Sequence, residues 1–553
     1  MSIFIKKPLA LLQSEAAQSG SGTLKRVLGP VSLIAIGIGT IVGAGLFSIT
    51  GLVAANNAGP AIMLSFVIAS ICCCFAGLCY AEFASMIPIA GSAYTYSYAT
   101  MGELMAWIIG WDLVLEYSVA ATTVSVSWSR YLTIFLHDVG IELPPALTAC
   151  PWEGGIVNLP ALLIVVFLSL LLIRGTRESA TFNMIIVLLK VGVIIAFVVL
   201  GWQYINTENY TPFIPENTGK MGEFGISGVL RGAGIVFFAY LGFDVVSTTA
   251  QETKNPRRNM PIGILGSLVV VLILYLLFAY VMTGVANYKM FSGKEGIAPV
   301  AVAISQMGTA DASGVIHPAY PWLNKAILLA ILVGYCSVIM GTLMAQSRIF
   351  LSMSHDGMLP KFFSKIHPRF RTPAHNSAVL MVCVGLLAAF VPAGVAGEMV
   401  SIGTLFAFVL VCAGVMTMRR TMPEQERAFR VPLVPLIPML GILSCLIVAF
   451  SLPADTWIRL VVWMLIGFDI YYHYGYRRSR LESSPDHSMN RMGINTLYIL
   501  GVVVSVACFF TGLWHQASAG WGSSKVLLVV ALIFGAFHFV YYGMKLVQSF
   551  KTN

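Results

Sequence analysis

Three ionisable side chains stand deep inside apolar runs of this sequence. Glu116 falls in GWDLVLEYSVAATTVSVSWSRY (residues 110–131), Lys190 in NMIIVLLKVGVII (183–195) and Asp244 in FFAYLGFDVVSTTAQETKNPRRNMPIGI (237–264). If each run is a helix, Glu116 lies roughly 18 Å from the start of its own, and the Lys190 stem is too short to bring its ammonium to water. A charge at such depth is costly unless paired, so these residues mark substrate sites or proton paths unless they only hold helices together. Asp244 either serves transport or caps a broken half-helix, and the two roles can coexist. Lys190 either moves protons or makes an interhelical ion pair or carbonyl contact that holds the fold. Glu116 either lines a pocket or is structural.

The backbone pattern points the same way. Five glycines crowd into GIGTIVGAGLFSITG (37–51), where Gly39 and Gly43 form a GxxxG pair that suits close helix packing. The alternative is that Gly43, Ala44 and Gly45 unwind the helix, freeing amides and leaving a positive half-helix end for an anion. No strand precedes these glycines, so they are not a nucleotide fingerprint. Gly242 and Asp244 interrupt a second apolar run. An amino acid zwitterion entering a dry site needs donors for its carboxylate and acceptors for its ammonium, and broken helices supply both from the backbone. Gly341 and Thr342, in a further run, are small and leave room for a long side chain. A cationic substrate would add a distal charge, for which Glu116 is the acid at depth in its run.

Such residues need helices held in a membrane. The 553 residues are 58% hydrophobic and only 10% charged, which excludes a string of soluble domains. A bilayer core takes about 20 apolar residues per helix, and about fourteen such runs follow one another, from 30–54 to 524–547. An all-α membrane bundle is the class that satisfies every backbone group in lipid. The glycine break lies in the first run and the Gly242 break in the sixth, in helices of opposite direction. That is the pattern of an inverted repeat whose site lies between discontinuous helices. Residues 30–205 would then form the first repeat of five helices and 206–420 the second. Residues 421–547 would add four peripheral helices, with 1–29 and 548–553 as cytoplasmic ends.

The formal charge of +9 lies in alternate loops, among them those with Lys25 and Arg26, Lys254 and Arg257, Arg369 and Arg371, and Arg477 and Arg478. The positive-inside bias puts these loops and both termini in the cytoplasm and explains the basic balance without nucleic acid. No small-residue cleavage site precedes the first span, so no signal peptide is expected. Phe4 to Leu12 mixes Lys6 and Lys7 with apolar residues and would lie on the inner leaflet or form a loose tail. The ten cysteines form no CxxC pairs with histidines at metal spacing, and GxSxG, HExxH and P-loop motifs are lacking. Neither a metal, a cofactor nor enzyme activity is expected.

On these residues the chain resembles the amino acid, polyamine and organocation (APC) transporter superfamily, and within it the cationic amino acid transporter family. The resemblance runs from about Pro8 to the C-terminus. Its motifs are GAGLF in the first span, IPIAGSAYTYSY (87–98), GWDLVLEY, FFAYLGFD followed by ETKNP, and QSRIFLSMSHDGMLPKFFSKIHPRFRTP (346–373). It implies a LeuT-type fold in the plasma (inner) membrane and proton-coupled uptake of L-amino acids, cationic or small neutral, by alternating access. An exchanger, or a sensor or channel on the same scaffold, is the alternative. Residue by residue it implies that Ile41, Gly43, Ala44 and Gly45 receive the substrate carboxylate. Phe238, Ala239, Tyr240 and Gly242 would supply ammonium-binding carbonyls and an aromatic gate, with Glu116 and Thr342 beside them. Lys190 matches a lysine that stands where other relatives bind sodium, and with Asp244 it would couple protons. Two positions depart from the family pattern: Ala44 stands where a hydroxyl residue is often seen, and Gln251 replaces the first acid of a Glu-Glu pair.

Overall fold

A computed structural model describes residues 5–17, 28–43, 45–89, 91–174, 177–292, 299–310, 316–370, 372–478, 491–519 and 525–551. In chain order its main helices are α1 (Pro30–Ile41), α2 (Ile62–Met86), α3 (Glu103–Asp138), α4 (Leu159–Arg174), α5 (Arg177–Gly201), α6 (Gly225–Val236), α7 (Phe243–Thr248) and α8 (Pro256–Val285). They continue with α9 (Pro321–His355), α10 (Ala374–Phe390), α11 (Ala393–Thr421), α12 (Leu436–Phe450), α13 (Ala454–Ile470), α14 (Arg491–Ala519) and α15 (Lys525–Lys551). One small antiparallel ribbon, β1 (Gly308–Ala310) with β2 (Ile316–Pro318), precedes α9.

Among the described residues nine helical segments are long and apolar enough to cross a membrane, or up to ten if the sharply bent pair α12 and α13 forms one span. That is fewer than the fourteen runs read from the sequence. One of the nine, Pro30–Met86, takes in two of those runs, and α4 and α10 are shorter apolar helices.

Both expected interruptions are present. α1 starts on Pro30, whose fixed φ and missing N–H suit a first turn. It stops at Ile41, Val42 turns extended (φ −74°, ψ 108°), and a wider helical turn resumes at Gly45–Ile49. α6 tightens into a short turn at Phe237–Tyr240, leaves helical geometry at Leu241 and restarts as α7 after Gly242. Gly242 sits at φ +114°, a left-handed conformation that strains any residue with a Cβ. The breaks are enclosed because α8 packs on α1 and α2, while α9 packs on α1, α3 and α5. α3 also lies along α11, and α14 with α15 form a pair resting on α13.

Buried ion pairs gather where α2, α7, α9 and α11 end. Glu82 takes the Arg419 guanidinium in a two-pronged contact (2.9 and 2.7 Å), lies 3.2 Å from Arg427 Nε and accepts the Val431 amide at 2.7 Å. Arg348 of α9 reaches Glu252 at 2.7 Å, just after α7. Removing one partner of such a pair strands the other in a site without water. Glu82→Ala is therefore expected to cost about 3–5 kcal/mol, since it leaves Arg427 buried and unpaired. Thermal unfolding in detergent checks this, and an unchanged midpoint would mean that the arginines reach water.

The segment before α1 departs from expectation. Phe4 lies outside the described residues, but Ile5–Leu12 packs against the protein and is not a loose tail. Lys7 is buried with its Nζ 2.8 Å from Asp356 Oδ1, and its amide donates to Tyr98 at 3.1 Å. The Glu103 amide donates back to Ile5, and Leu12 is 1% exposed. A lysine whose charge and stem are both used has no reason to stay at the lipid surface.

Candidate functional site

Interrupting a helix leaves carbonyls without their usual amide partners, and a buried carbonyl must find another donor. At the α1 break those donors are identifiable. Gly39 O accepts from Lys190 Nζ at 2.7 Å and from Ser337 Oγ at 2.8 Å. Val42 O accepts from Lys190 Nζ at 2.8 Å, and Ile41 O from the Tyr275 hydroxyl at 3.1 Å. Gly43 O receives the Leu46 and Phe47 amides, which restarts the helix. At the second break Ala239 O accepts from the same Tyr275 hydroxyl at 2.7 Å, and Gly242 O from Thr40 Oγ1 at 3.0 Å. Tyr275 on α8 thus ties both breaks together through one proton.

The breaks also touch directly. A Cβ on Gly45 would stand 2.4 Å from the Cα of Ala239, and one on Gly242 would stand 3.0 Å from the backbone carbon of Thr40. Gly45 is therefore required by backbone meeting backbone, before any ligand is considered. Gly43 faces Val338 of α9. Beyond the α1 break, Tyr131 of α3 donates to Phe47 O at 2.5 Å and Tyr335 of α9 pairs with Ser48 at 2.9 Å, so hydroxyls close that side.

Lys190, 1% exposed, completes its shell with Gly334 O at 3.3 Å and Ser337 Oγ at 2.7 Å. An ammonium has three N–H donors, and four neutral oxygens from the α1 break and α9 surround it. Among the described residues no carboxylate pairs with it. The geometry is the carbonyl contact allowed for in the sequence, placed where α1 and α9 must part if either moves.

The remaining residues fall into other settings. Asp244, at the first turn of α7, accepts the Gly242 amide at 3.2 Å and the Tyr117 hydroxyl, so it does cap the broken half-helix. Glu116 is 1% exposed, and neither of its oxygens has a hydrogen-bond partner. Phe238 is buried, and Tyr240 sends its hydroxyl to Phe66 O on α2 at 3.1 Å, which anchors the ring. Thr342 spends its hydroxyl on Val338 O and Ile339 O of its own helix. The room expected at Gly341 is taken by the Thr40 methyl, 2.1 Å from where a Cβ would stand. Ala44 lies outside the described residues. Sequence reasoning missed Tyr275, Ser337 and Tyr117; the signal for Tyr275 was a lone hydroxyl in the run VVVLILYLLFAYV.

Residues 28–468 match the sequence pattern of a family described as amino acid permease. The branched-chain amino acid permease BcaP of Bacillus subtilis (strain 168) is 42% identical over 485 residues, covering 87% of this chain and 99% of the relative. The methylthioribose transporter of the same organism is 40% identical over 483 residues with the same coverage of both chains. Cationic amino acid transporter 4, vacuolar, of Arabidopsis thaliana is 34% identical over 416 residues, 73% of this chain and 65% of that one. Among solved structures, MhsT in complex with L-phenylalanine aligns with a TM-score of 0.56 at 14% identity, over 77% of this chain and 99% of the other. At that identity the likeness shows a LeuT-like fold and nothing about the ligand.

Proposed function

We propose that this chain, which belongs to the amino acid permease family of the APC superfamily, is a secondary transporter that carries L-amino acids across the membrane by alternating access and couples their uptake to protons. The observation that carries the reading is the meeting of two broken helices, each with its freed backbone groups gathered at one place. The half-helix that restarts at Gly45 would offer its N-terminal end to a substrate carboxylate. The carbonyls of Ile41 and Ala239, now held by the Tyr275 hydroxyl, are acceptors for an ammonium. Spans one to five and six to ten serve as the two repeats, with α12 to α15 outside them, which extends the membrane count to fourteen. Residues 30–205, 206–420 and 421–547 are the corresponding units.

For the substrate we favour a neutral aliphatic amino acid over arginine or lysine. Glu116 is the acid that would have read a distal cation, yet its neighbours are Asp244, Asp112 and Thr404. Thr342 offers no free hydroxyl proton, and the space beside it is filled. The branched-chain amino acid permease BcaP is matched over 99% of its length, while the cationic transporter is matched over 65% of its own.

Uptake into proteoliposomes made with the full chain tests this. Leucine is expected to accumulate under an inwardly directed proton gradient without sodium, and arginine is not. Arginine uptake without leucine uptake would overturn the substrate class, and exchange without accumulation would favour an exchanger. A second expectation concerns orientation in the plasma (inner) membrane. Single cysteines replacing Lys254 or Arg369, both exposed, should react with an impermeant reagent only after the cytoplasmic face is opened. Labelling of intact cells at either position would invert the topology.

A further inference from the structure

Asp112 and Glu116 stand one turn apart on the same face of α3, and neither is used by the site above. Asp112 is 0% exposed. All four carboxyl oxygens of the pair lack a hydrogen-bond partner, and among the described residues neither acid forms an ion pair. Across from them α11 presents Gly403, where a Cβ would lie 3.0 Å from Asp112 Oδ1, and Thr404, which is close to Glu116. The Ser401 hydroxyl, on the same face of α11 as Thr404, is buried and unpartnered, and so is that of Tyr80. Two bare carboxylates at this spacing, exposed by only 0% and 1%, would repel one another, and a native structure does not leave such groups unexplained.

We propose that Asp112 and Glu116 bind a transported proton between them, as a second proton site separate from Lys190, seated in the α3–α11 interface. A carboxyl O–H supplies the donor that the pair lacks, and a neighbouring carboxylate oxygen accepts it. A metal ion is the competing ligand, but among the described residues no three acid, histidine or cysteine side chains converge on one point. The Thr404 hydroxyl beside Glu116 is a neutral partner that suits a proton.

The titratable groups facing the pair are Asp244 beside α7, Tyr117 on α3 and Tyr80 on α2, with Tyr96 one ring beyond Tyr80. α9 presents Gln346, whose amide is bound to Val114 O and Ser118, while Arg348 is held by Glu252. From α13 come backbone carbonyls of Trp463 and Gly467, taken by Trp111 and Trp107. α10 turns Asn376 to Ser347, and α4 approaches α3 near Asn158, which meets Ser129. The one cation among these, Arg348, already has its charge paired with Glu252, so charge balance at Asp112 and Glu116 falls to the proton. Opening the α3–α11 seam would admit water and let it leave.

The proposal rests on the transporter reading for its coupling role, though not for protonation itself. Accumulation is measured in proteoliposomes of the full chain with the membrane potential clamped. Each coupled proton contributes about tenfold accumulation per unit of pH gradient. Wild type should follow two protons. Asp112→Asn should keep leucine exchange but lose about tenfold in accumulation at one unit of gradient, and Asp112→Glu should restore it. Asp112→Ser serves if the asparagine variant fails to fold. Equal stoichiometry in wild type and a non-titrating variant would overturn the proposal. So would sodium-driven accumulation that Asp112→Asn abolishes, since the ligand would then be a metal ion. Infrared difference spectra between acid and alkaline buffer read the carboxylic acid directly, even if no amino acid is transported. A band missing in Asp112→Asn is the expected result, and identical spectra would refute protonation.

Discussion

Lys190→Met is expected to remove one of the two coupled protons, about a tenfold loss of accumulation at one unit of pH gradient, while leaving the protein folded in the membrane. The methionine keeps the length of the stem but none of its donors, so Gly39 O and Val42 O lose contacts of 2.7 and 2.8 Å. Gly39 O keeps Ser337, at 2.8 Å, so one of the two carbonyls remains satisfied and the break need not collapse. What disappears is the charge. The ammonium is bound only by neutral oxygens, half of them on the α1 break and half on α9. Parting those two helices would leave it isolated in an interior where an unpaired charge is costly, so its proton is bound to the closed arrangement. The same charge would repel sodium from this pocket, and wild-type uptake should accordingly ignore sodium. Without Lys190, uptake should follow an imposed pH gradient with one proton fewer, and exchange of labelled for unlabelled leucine can persist. Accumulation by the variant equal to that of wild type under the same proton gradient would return Lys190 to a purely structural role. Sodium dependence in wild type would remove the argument from exclusion.

Much of the core was legible because membranes make polar residues conspicuous. A lysine in NMIIVLLKVGVII and a glycine cluster in the first span stand out against apolar neighbours, and both proved to belong to one place. The kind of interaction was legible too, since carbonyl contact was one of two readings for Lys190 and capping one of two for Asp244. Rotation of a helix about its axis was not. Glu116 is deep in its run, as counted, but whether it turns toward the breaks or toward α11 depends on which helix lies opposite, and apolar runs of equal hydropathy carry little periodicity to say so. Asp112 escaped notice for a related reason: nine residues after the start of α3 it could be taken for an interfacial acid. Lys7 misled in the other direction, because a basic residue near the chain start suits the lipid surface equally well until Asp356 and Tyr98 are seen beside it.

Gly45→Ala should weaken substrate binding roughly thirtyfold, because the two breaks touch at this residue. In the structure the direction of the missing Cβ is already filled by Ala239, with its Cα at 2.4 Å, its Cβ at 2.5 Å and its amide nitrogen at 2.9 Å. Two of those three atoms are backbone and cannot turn aside as the end of a flexible side chain would. The added methyl must push the two breaks apart, and overpacking of this kind costs about 1–3 kcal/mol or more. Spent at the place where both half-helices present their free groups, about 2 kcal/mol weakens leucine binding roughly thirtyfold. A double variant separates side-chain from backbone contact. Gly45→Ala with Ala239→Gly removes the Cβ clash but leaves the Cα clash, so binding should stay weak. Recovery in the double variant would show that only side chains meet there and that the breaks are free to close over a larger residue. Retained binding in Gly45→Ala alone would mean that the α1 and α6 breaks do not touch in the binding-competent state.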